Sequence, residues 1–513
     1  MREKETAEVK GGTDNSIIII GAGIAGLSAG CYLQMNGYKT HIFEMHNLPG
    51  GVCTAWQRKD YTIDGCMHWL AGSGTASAMY RVWNELGVFK NHTFYDHDEY
   101  VQVETREGGR FTLYVDPDRL EQHMLELAPE DSAVIKEFAG ALRKMKGFDM
   151  PVGKPPEMEG PLDKLRSGLR FLPYLGLLRK WGKATVNDYA ARFKSPFLRE
   201  ALMMTIGDVD VFPMFGLLMP MAWVHAKAAG YPLGGSLEFA KTIEKRYIDL
   251  GGRISYDSRV DKVLVENDRA VGIRLADGTE HRADRVISAA DGHSTIFDML
   301  DGTYINETIK GYYRDLPLFP PMLMVSFGVA RTFDDSPPSV GGVHLALDET
   351  LTIAGKERKT VNLYIYNHDP SLAPEGKTVL KFILMTDYDY WEELHKDRER
   401  YKAEKEHIAD ALQAVLEKRF PGVSELIEMR DVATPMTWVR YTANWRASYE
   451  GWMMSMDTWN LRMKKTLPGL SNFYMVGQWV EPGGGLPPAA LSGRNLTQIL
   501  CKQDGKEFTT RIP

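Results

Sequence analysis

Cysteine is scarce. Cys31, Cys53, Cys66 and Cys501 are the four in 513 residues, and no two have the spacing of a zinc site or a redox dithiol. No metal is therefore expected, and a reducing cytoplasm is the simplest home. Basic charge is not in excess either. The formal net charge of −7 argues against nucleic acid as a partner. Met1–Thr13 is polar and lacks the apolar stretch of a secretory signal. No internal repeat and no long low-complexity linker interrupts the chain. What remains is 44% hydrophobic and long enough to bury a large core in at least two domains.

The informative part starts at Ser16, where Ile17-Ile18-Ile19-Ile20 runs into Gly21-Ala22-Gly23-Ile24-Ala25-Gly26. A helix is expected over Ile24–Asn36, and a second apolar run, His41-Ile42-Phe43, ends at Glu44. Strand, glycine turn, helix and an acid about 20 positions on form a dinucleotide-binding βαβ fingerprint. Gly21 permits the tight turn, Gly23 lets backbone approach a pyrophosphate, and Gly26 allows helix to pack on strand. Phosphates then sit at the helix N-terminus, against Ile24 and Ala25, where unpaired N–H groups and the dipole favour negative charge. Glu44 is expected to accept hydrogen bonds from a ribose hydroxyl, with Met45 beside it.

Later segments decide which dinucleotide. Gly50-Gly51-Val52 is a second glycine approach to the same phosphates. Arg259-Val260 and the run Arg285–Asp291, through Ala289 and Ala290, read as chain returning to the cofactor. Near the C-terminus, Phe473-Tyr474-Met475-Val476-Gly477 precedes Gly483-Gly484-Gly485-Leu486, a second glycine turn opening a helix. A nicotinamide does not need a closing segment this distant, whereas a flavin held along its whole length does. FAD is the expected cofactor. No second GxGxxG occurs in the middle of the chain, so a dedicated NAD(P)H domain is absent.

The Gly21–Gly51 block, Tyr231-Pro232-Leu233-Gly234-Gly235-Ser236 and the Val476–Gly493 block resemble those of phytoene desaturase-type flavoproteins. That group includes carotenoid desaturases, carotenoid isomerases and retinol saturases, within the amine-oxidase-like superfamily. The resemblance runs from about Asn15 to Leu500. It implies an α/β fold, with a Rossmann-like, glutathione reductase-type FAD-binding domain interleaved with an α+β substrate domain. Many relatives carry arginine where this chain has Val52, and often an acid where it has Gln478.

The order of segments implies that residues 15–90, 231–300 and 431–502 build the FAD domain, while 91–230 and 301–430 form the substrate domain. A single charged helix is expected over Trp391–Arg419. The segment Lys164–Lys183 is basic and apolar with no acid. Its apolar runs are far short of the ~20 residues that span a bilayer. Two readings stand: an interfacial helix giving peripheral membrane contact, or core-packing helices broken by Pro173. Met203-Met204, Met214, Met219 and Met221 are either core or the lining for a long apolar ligand.

Gly65–Leu70 is expected near the flavin ring, bringing Met67 and His68 with it. His68, Trp479 and Glu481 are the catalytic candidates; the first has an ordinary pKa near neutrality, and Glu481 can equally be a helix N-terminal acid. Aromatic residues Trp438, Tyr441, Trp445, Tyr449, Trp452 and Trp459 are expected to pack, some of them walling a substrate cavity. Three functions compete. The resemblance implies redox or isomerisation chemistry at C–C bonds of an apolar polyene or isoprenoid. A flavin amine oxidase would want an aromatic cage and a lysine near the flavin. A non-catalytic relative that binds lipidated proteins and has lost flavin would lack the glycine turns that are intact here.

Overall fold

The computed structural model describes residues 15–207, 212–453 and 461–513; Met1–Thr13 and Trp459 lie outside them. Ser16–Ile20, an isoleucine run suited to a strand buried on both faces, is central to a five-stranded parallel sheet. Its spatial order is Arg253–Ser255, Lys39–Phe43, Ser16–Ile20, Arg285–Ser288, Phe473–Met475. Ile17 lies in register with Thr40 on one side and Arg285 on the other. The two-residue period of the strand then sorts its side chains. Ile17 and Ile19 pack with the helices Ile24–Met35, Gly235–Asp249 and Leu486–Gln503. Ile18 and Ile20 pack with the antiparallel strands Val260–Glu266 and Arg269–Leu275.

A seven-stranded sheet stands opposite. Its order is Ile427–Ala433, Met322–Val329, Thr378–Met385, Lys356–Ile365, Val343–Ile353, Glu99–Glu104, Arg110–Tyr114. All neighbours are antiparallel except Val343–Leu345 beside Gln102–Glu104, a parallel seam that unites two segments far apart in sequence. Ile427–Ala433, which spans the expected junction near 430, is an edge of this sheet. Leu323, Val325 and Phe327 pack with Ile408, Leu412 and Leu416 of the helix Arg398–Arg419, and Met322 and Met324 join a separate cluster on the opposite face.

One expected helix is divided, and the basic segment breaks at its proline. Trp391–Arg419 becomes Tyr388–His395 and Arg398–Arg419, because the Asp397 side chain accepts from the Arg400 N–H at 3.1 Å and caps a new helix. The basic segment becomes Pro161–Phe171 and Leu175–Trp181, separated by a turn at Leu172–Tyr174 that contains Pro173. No helix among the described residues is long and apolar enough to cross a membrane.

Candidate active site

The carboxyl ends of the parallel strands and one face of the seven-stranded sheet enclose a cavity of about 720 Å³. This is where an open α/β sheet presents its ligand site. The first turn shapes one end. Gly21 takes φ +96°, and the helix from Ile24 starts at Gly23 without a side-chain cap, leaving its first N–H groups without a side-chain partner. The second glycine pair is stitched to this turn by the Gly50 N–H, which donates to the Ala22 carbonyl at 2.9 Å. Glu44 is buried, its two carboxylate oxygens accepting from the N–H groups of Ala22 (2.7 Å) and His46 (2.8 Å). Burial raises its pKa and these amides oppose the rise. Each oxygen keeps a lone pair for a hydroxyl.

Gly21, Gly23, Ile24, Ala25, Glu44, Met45, Gly50, Gly51 and Val52 all line this cavity. So do Met67, His68, Val260, Ala289, Ala290, Gly477, Trp479, Gly484, Gly485 and Leu486. Two of the sequence-derived residues are not among its lining. Gly26 lies behind the turn, where a Cβ would come within 2.0 Å of the Gly21 carbonyl oxygen; its place is close packing. Glu481 pairs instead with Lys465 at 2.7 Å, and that ammonium also holds Glu157 at 3.0 Å.

An uncapped helix N-terminus, glycines with left-handed backbone at Gly21, Gly477, Gly484 and Gly485, and a buried carboxylate at the end of the second strand fit an FAD molecule lying along the cavity. Residues 24–500 match the family described as flavin containing amine oxidoreductase. The chain belongs to this family. It is an FAD-dependent oxidoreductase. Similar curated proteins include a chloroplastic prolycopene isomerase of Daucus carota, 24% identical, the match covering 96% of this chain and 81% of that one. Another is a neurosporene-forming phytoene desaturase of Rhodobacter capsulatus, 25% identical over 94% of this chain and 93% of that one. Among solved structures, cyclohexylamine oxidase of Brevibacterium oxydans superposes with a TM-score of 0.57 at 14% identity, covering 96% of this chain and all of that one. That likeness concerns the fold.

Within this flavoenzyme, the loop carrying His68 is anchored by a buried carboxylate. Asp64 accepts from the Tyr231 hydroxyl (2.8 Å), the Ser236 N–H (3.1 Å) and the Cys66 N–H (3.0 Å). The Tyr231–Ser236 motif thus holds the Gly65–Leu70 loop against the cavity. His68 stacks on Tyr364, with centroids 4.2 Å apart, and its Nε2 has no partner among the described residues. Burial, aided by the nearby Lys381 charge, drives its pKa well below the ordinary value, so the ring is neutral. Lys381 is fully buried and donates from Nζ to the Asp64 carbonyl at 2.8 Å; desolvation lowers its pKa to about 8. It is not among the residues lining the cavity. Trp479 is buried, its indole N–H also lacking a partner among the described residues.

Glu450 escapes sequence reasoning, while Asp291 and Arg259 lie in segments expected at the cofactor without a role of their own. Glu450 has no motif around it, yet its carboxyl faces the Gly483–Gly485 turn: a Cβ on Gly485 would sit 3.7 Å from its Oε1, and burial pushes it up to about 7. Asp291 accepts from the N–H groups of Ser294 (2.7 Å) and Trp445 (2.8 Å), tying the Ala289–Ala290 turn to the C-terminal aromatic segment. Arg259 brings a cation to the cavity, as Val52 does not. Of the methionine run, Met219 lines the cavity, Met204, Met214 and Met221 are buried core, and Met203 is exposed. More thioether comes from Met322, Met324 and Met385 of the facing sheet.

Proposed function

We propose that this enzyme acts on C–C bonds of an apolar polyene or isoprenoid, by desaturation, saturation or cis–trans isomerisation. The observation that carries the reading is the wall opposite the glycine turns, where Met322, Met324, Ile383 and Met385 project from alternate strand positions; Met150 and Met219 line the same cavity. A flexible thioether and aliphatic surface suits a long hydrocarbon better than a small polar amine. The names of the carotenoid-acting relatives support the same substrate class.

On this reading residues 15–90, 231–300 and 431–502 hold the cofactor, and 91–230 with 301–430 hold the substrate. The N–H groups of Ile24 and Ala25 receive the pyrophosphate, Glu44 the adenosine ribose, and Gly484–Leu486 the ring end. FAD supplies a two-electron carrier when bound. The protein's share is to orient the hydrocarbon, exclude water and hold a proton acceptor; His68 Nε2 and the Glu450 carboxyl are the groups we assign to that last role. Glu481 is given the structural ion pair with Lys465.

Anaerobic mixing of the FAD-loaded enzyme, oxidised and chemically reduced in separate runs, with a panel of polyenes and amines tests the proposal. The expected result is a change in flavin absorbance, or isomerised product, with a polyene and none with simple amines. Rapid bleaching by amines with no response to any polyene would replace it with amine oxidation.

A further inference from the structure

Among the described residues, the largest run of exposed hydrophobic side chains lies on the helix Pro161–Phe171 and the turn that follows. Leu162, Leu165 and Leu169 are 71%, 60% and 56% exposed, and Leu172 and Leu175 continue the run at 53% and 44%. At about 100° per residue the first three leucines fall within roughly 60° of one helical face. The next helix behaves differently, since Leu177 and Trp181 are buried. The second helix thus fits the core-packing reading of this segment, and the first leaves its leucines exposed.

Basic residues are frequent in the same segment. Arg170 and Lys180 are paired with Asp149 (3.7 Å) and Glu137 (2.9 Å). Lys164, Arg166, Arg179 and Lys183 are exposed and make no ion pair among the described residues. An apolar stripe with Arg166 about 40° from Leu162 at its border, and with further exposed cations at Lys164, Arg179 and Lys183 in the same segment, is complementary to a surface that is apolar within and anionic outside. The stripe also adjoins the cavity. Phe148 packs on Phe171 (6.1 Å) and Tyr174 (5.2 Å), and its carbonyl accepts from the indole N–H of Trp223, a residue of the cavity wall.

We propose that the leucine face of Pro161–Phe171 docks on an anionic lipid bilayer, with Leu162, Leu165 and Leu169 entering the acyl boundary. An apolar ligand then passes from the bilayer to the cavity behind Phe148 without crossing water. That route rests on the substrate class proposed above; the docking does not, because vesicle binding needs no turnover.

The test is co-sedimentation of the full FAD-loaded protein with vesicles of phosphatidylcholine alone and with phosphatidylglycerol added. Binding is expected on the anionic vesicles and to weaken with salt. Replacing Lys164, Arg166, Arg179 and Lys183 by Gln should lower it about fivefold per residue. Replacing Leu162, Leu165 and Leu169 by Ser should lower it about tenfold per residue while bound FAD and oligomeric state stay as they were. Should the serine variant lose its FAD, the glutamine variant carries the test alone. Wild-type protein that ignores both vesicles, or variants that bind as it does, would overturn the proposal. So would a serine variant whose oligomer dissociates, which would place a second copy on the face.

Discussion

Two glycines of one motif should fail in opposite ways. At Gly23 the backbone has φ −66° and ψ 173°, open to any L-residue, and a Cβ would meet nothing nearer than the Gly50 carbonyl oxygen at 3.9 Å. Alanine there costs up to about 1 kcal/mol as a poorer N-cap and regains about 0.4–1 kcal/mol by restricting the unfolded chain. The stability of the FAD-free protein should therefore barely change. The methyl group instead takes the space needed by pyrophosphate, and losing one charge-assisted N–H bond costs about 1.5–3 kcal/mol, a Kd raised roughly ten- to hundredfold. At Gly26 the new Cβ would lie 2.0 Å from the Gly21 carbonyl oxygen and 3.2 Å from the Ala289 Cβ. Helix and strand must separate, costing about 3 kcal/mol, the upper end of overpacking. Urea unfolding of the FAD-free proteins, paired with FAD titration followed by flavin fluorescence, distinguishes the two. Gly23→Ala with wild-type affinity, or with a loss of stability equal to that of Gly26→Ala, would refute the reasoning.

Glu44→Gln should weaken FAD binding by about 1.5–3 kcal/mol and also lower the urea midpoint, because the amide NH₂ cannot accept from both Ala22 and His46 as the carboxylate does. Glu450, held up at about 7 against an ordinary value near 4.5, favours its protonated form in the fold. It thus contributes stability that is full below about pH 4.5 and lost as pH rises through 7, up to about 3 kcal/mol; Glu450→Gln should remove this part of the pH dependence in chemical unfolding of the FAD-free protein. His68→Ala should slow turnover by about 10²-fold if its imidazole moves a proton. Since the ring is already neutral, the wild-type rate should show no inflection from His68 between pH 6 and 7, and an inflection abolished by the alanine variant would contradict the burial argument.

The cofactor end of the site was legible because its requirements are local. Isoleucines in a row, glycines where φ is positive or a Cβ is excluded, and an acid one strand later are each set by neighbours a few positions away. The strand Ser16–Ile20 and the turns at Gly21 and Gly485 stand where that logic puts them. The substrate end was not legible, because its requirements are long-range. Nothing near Met322 or Met385 says which face of its strand meets the cavity; that is decided by the helix Arg398–Arg419 occupying the other face. Glu450 matters through Gly484 and Gly485, and Glu481 is taken up by Lys465, a residue with no signature of its own. The break at Asp397 was a local signal, an N-cap inside a charged run, overlooked among the surrounding charges.

The position of the last helix has a consequence for synthesis. Ser28, in the first helix, donates from Oγ to the carbonyl of Ala490 at 2.7 Å, across 462 residues of chain, and the strand Phe473–Met475 completes the parallel sheet begun at Ser16. During translation the amino-terminal strand and glycine turn emerge first and Lys39–Phe43 soon after, yet the second neighbour, Arg285–Ser288, comes mid-chain and the helix that packs on Ile24–Met35 nearly last. Until then one edge of that sheet stands open and the cradle has no far wall. Until Arg285–Ser288 emerges the isoleucine-rich strand lacks its second neighbour, and exposed apolar surface of that kind favours aggregation. On the assignment proposed above, a chain ending before Gly483 would lack the wall that Gly483–Leu486 give the cavity.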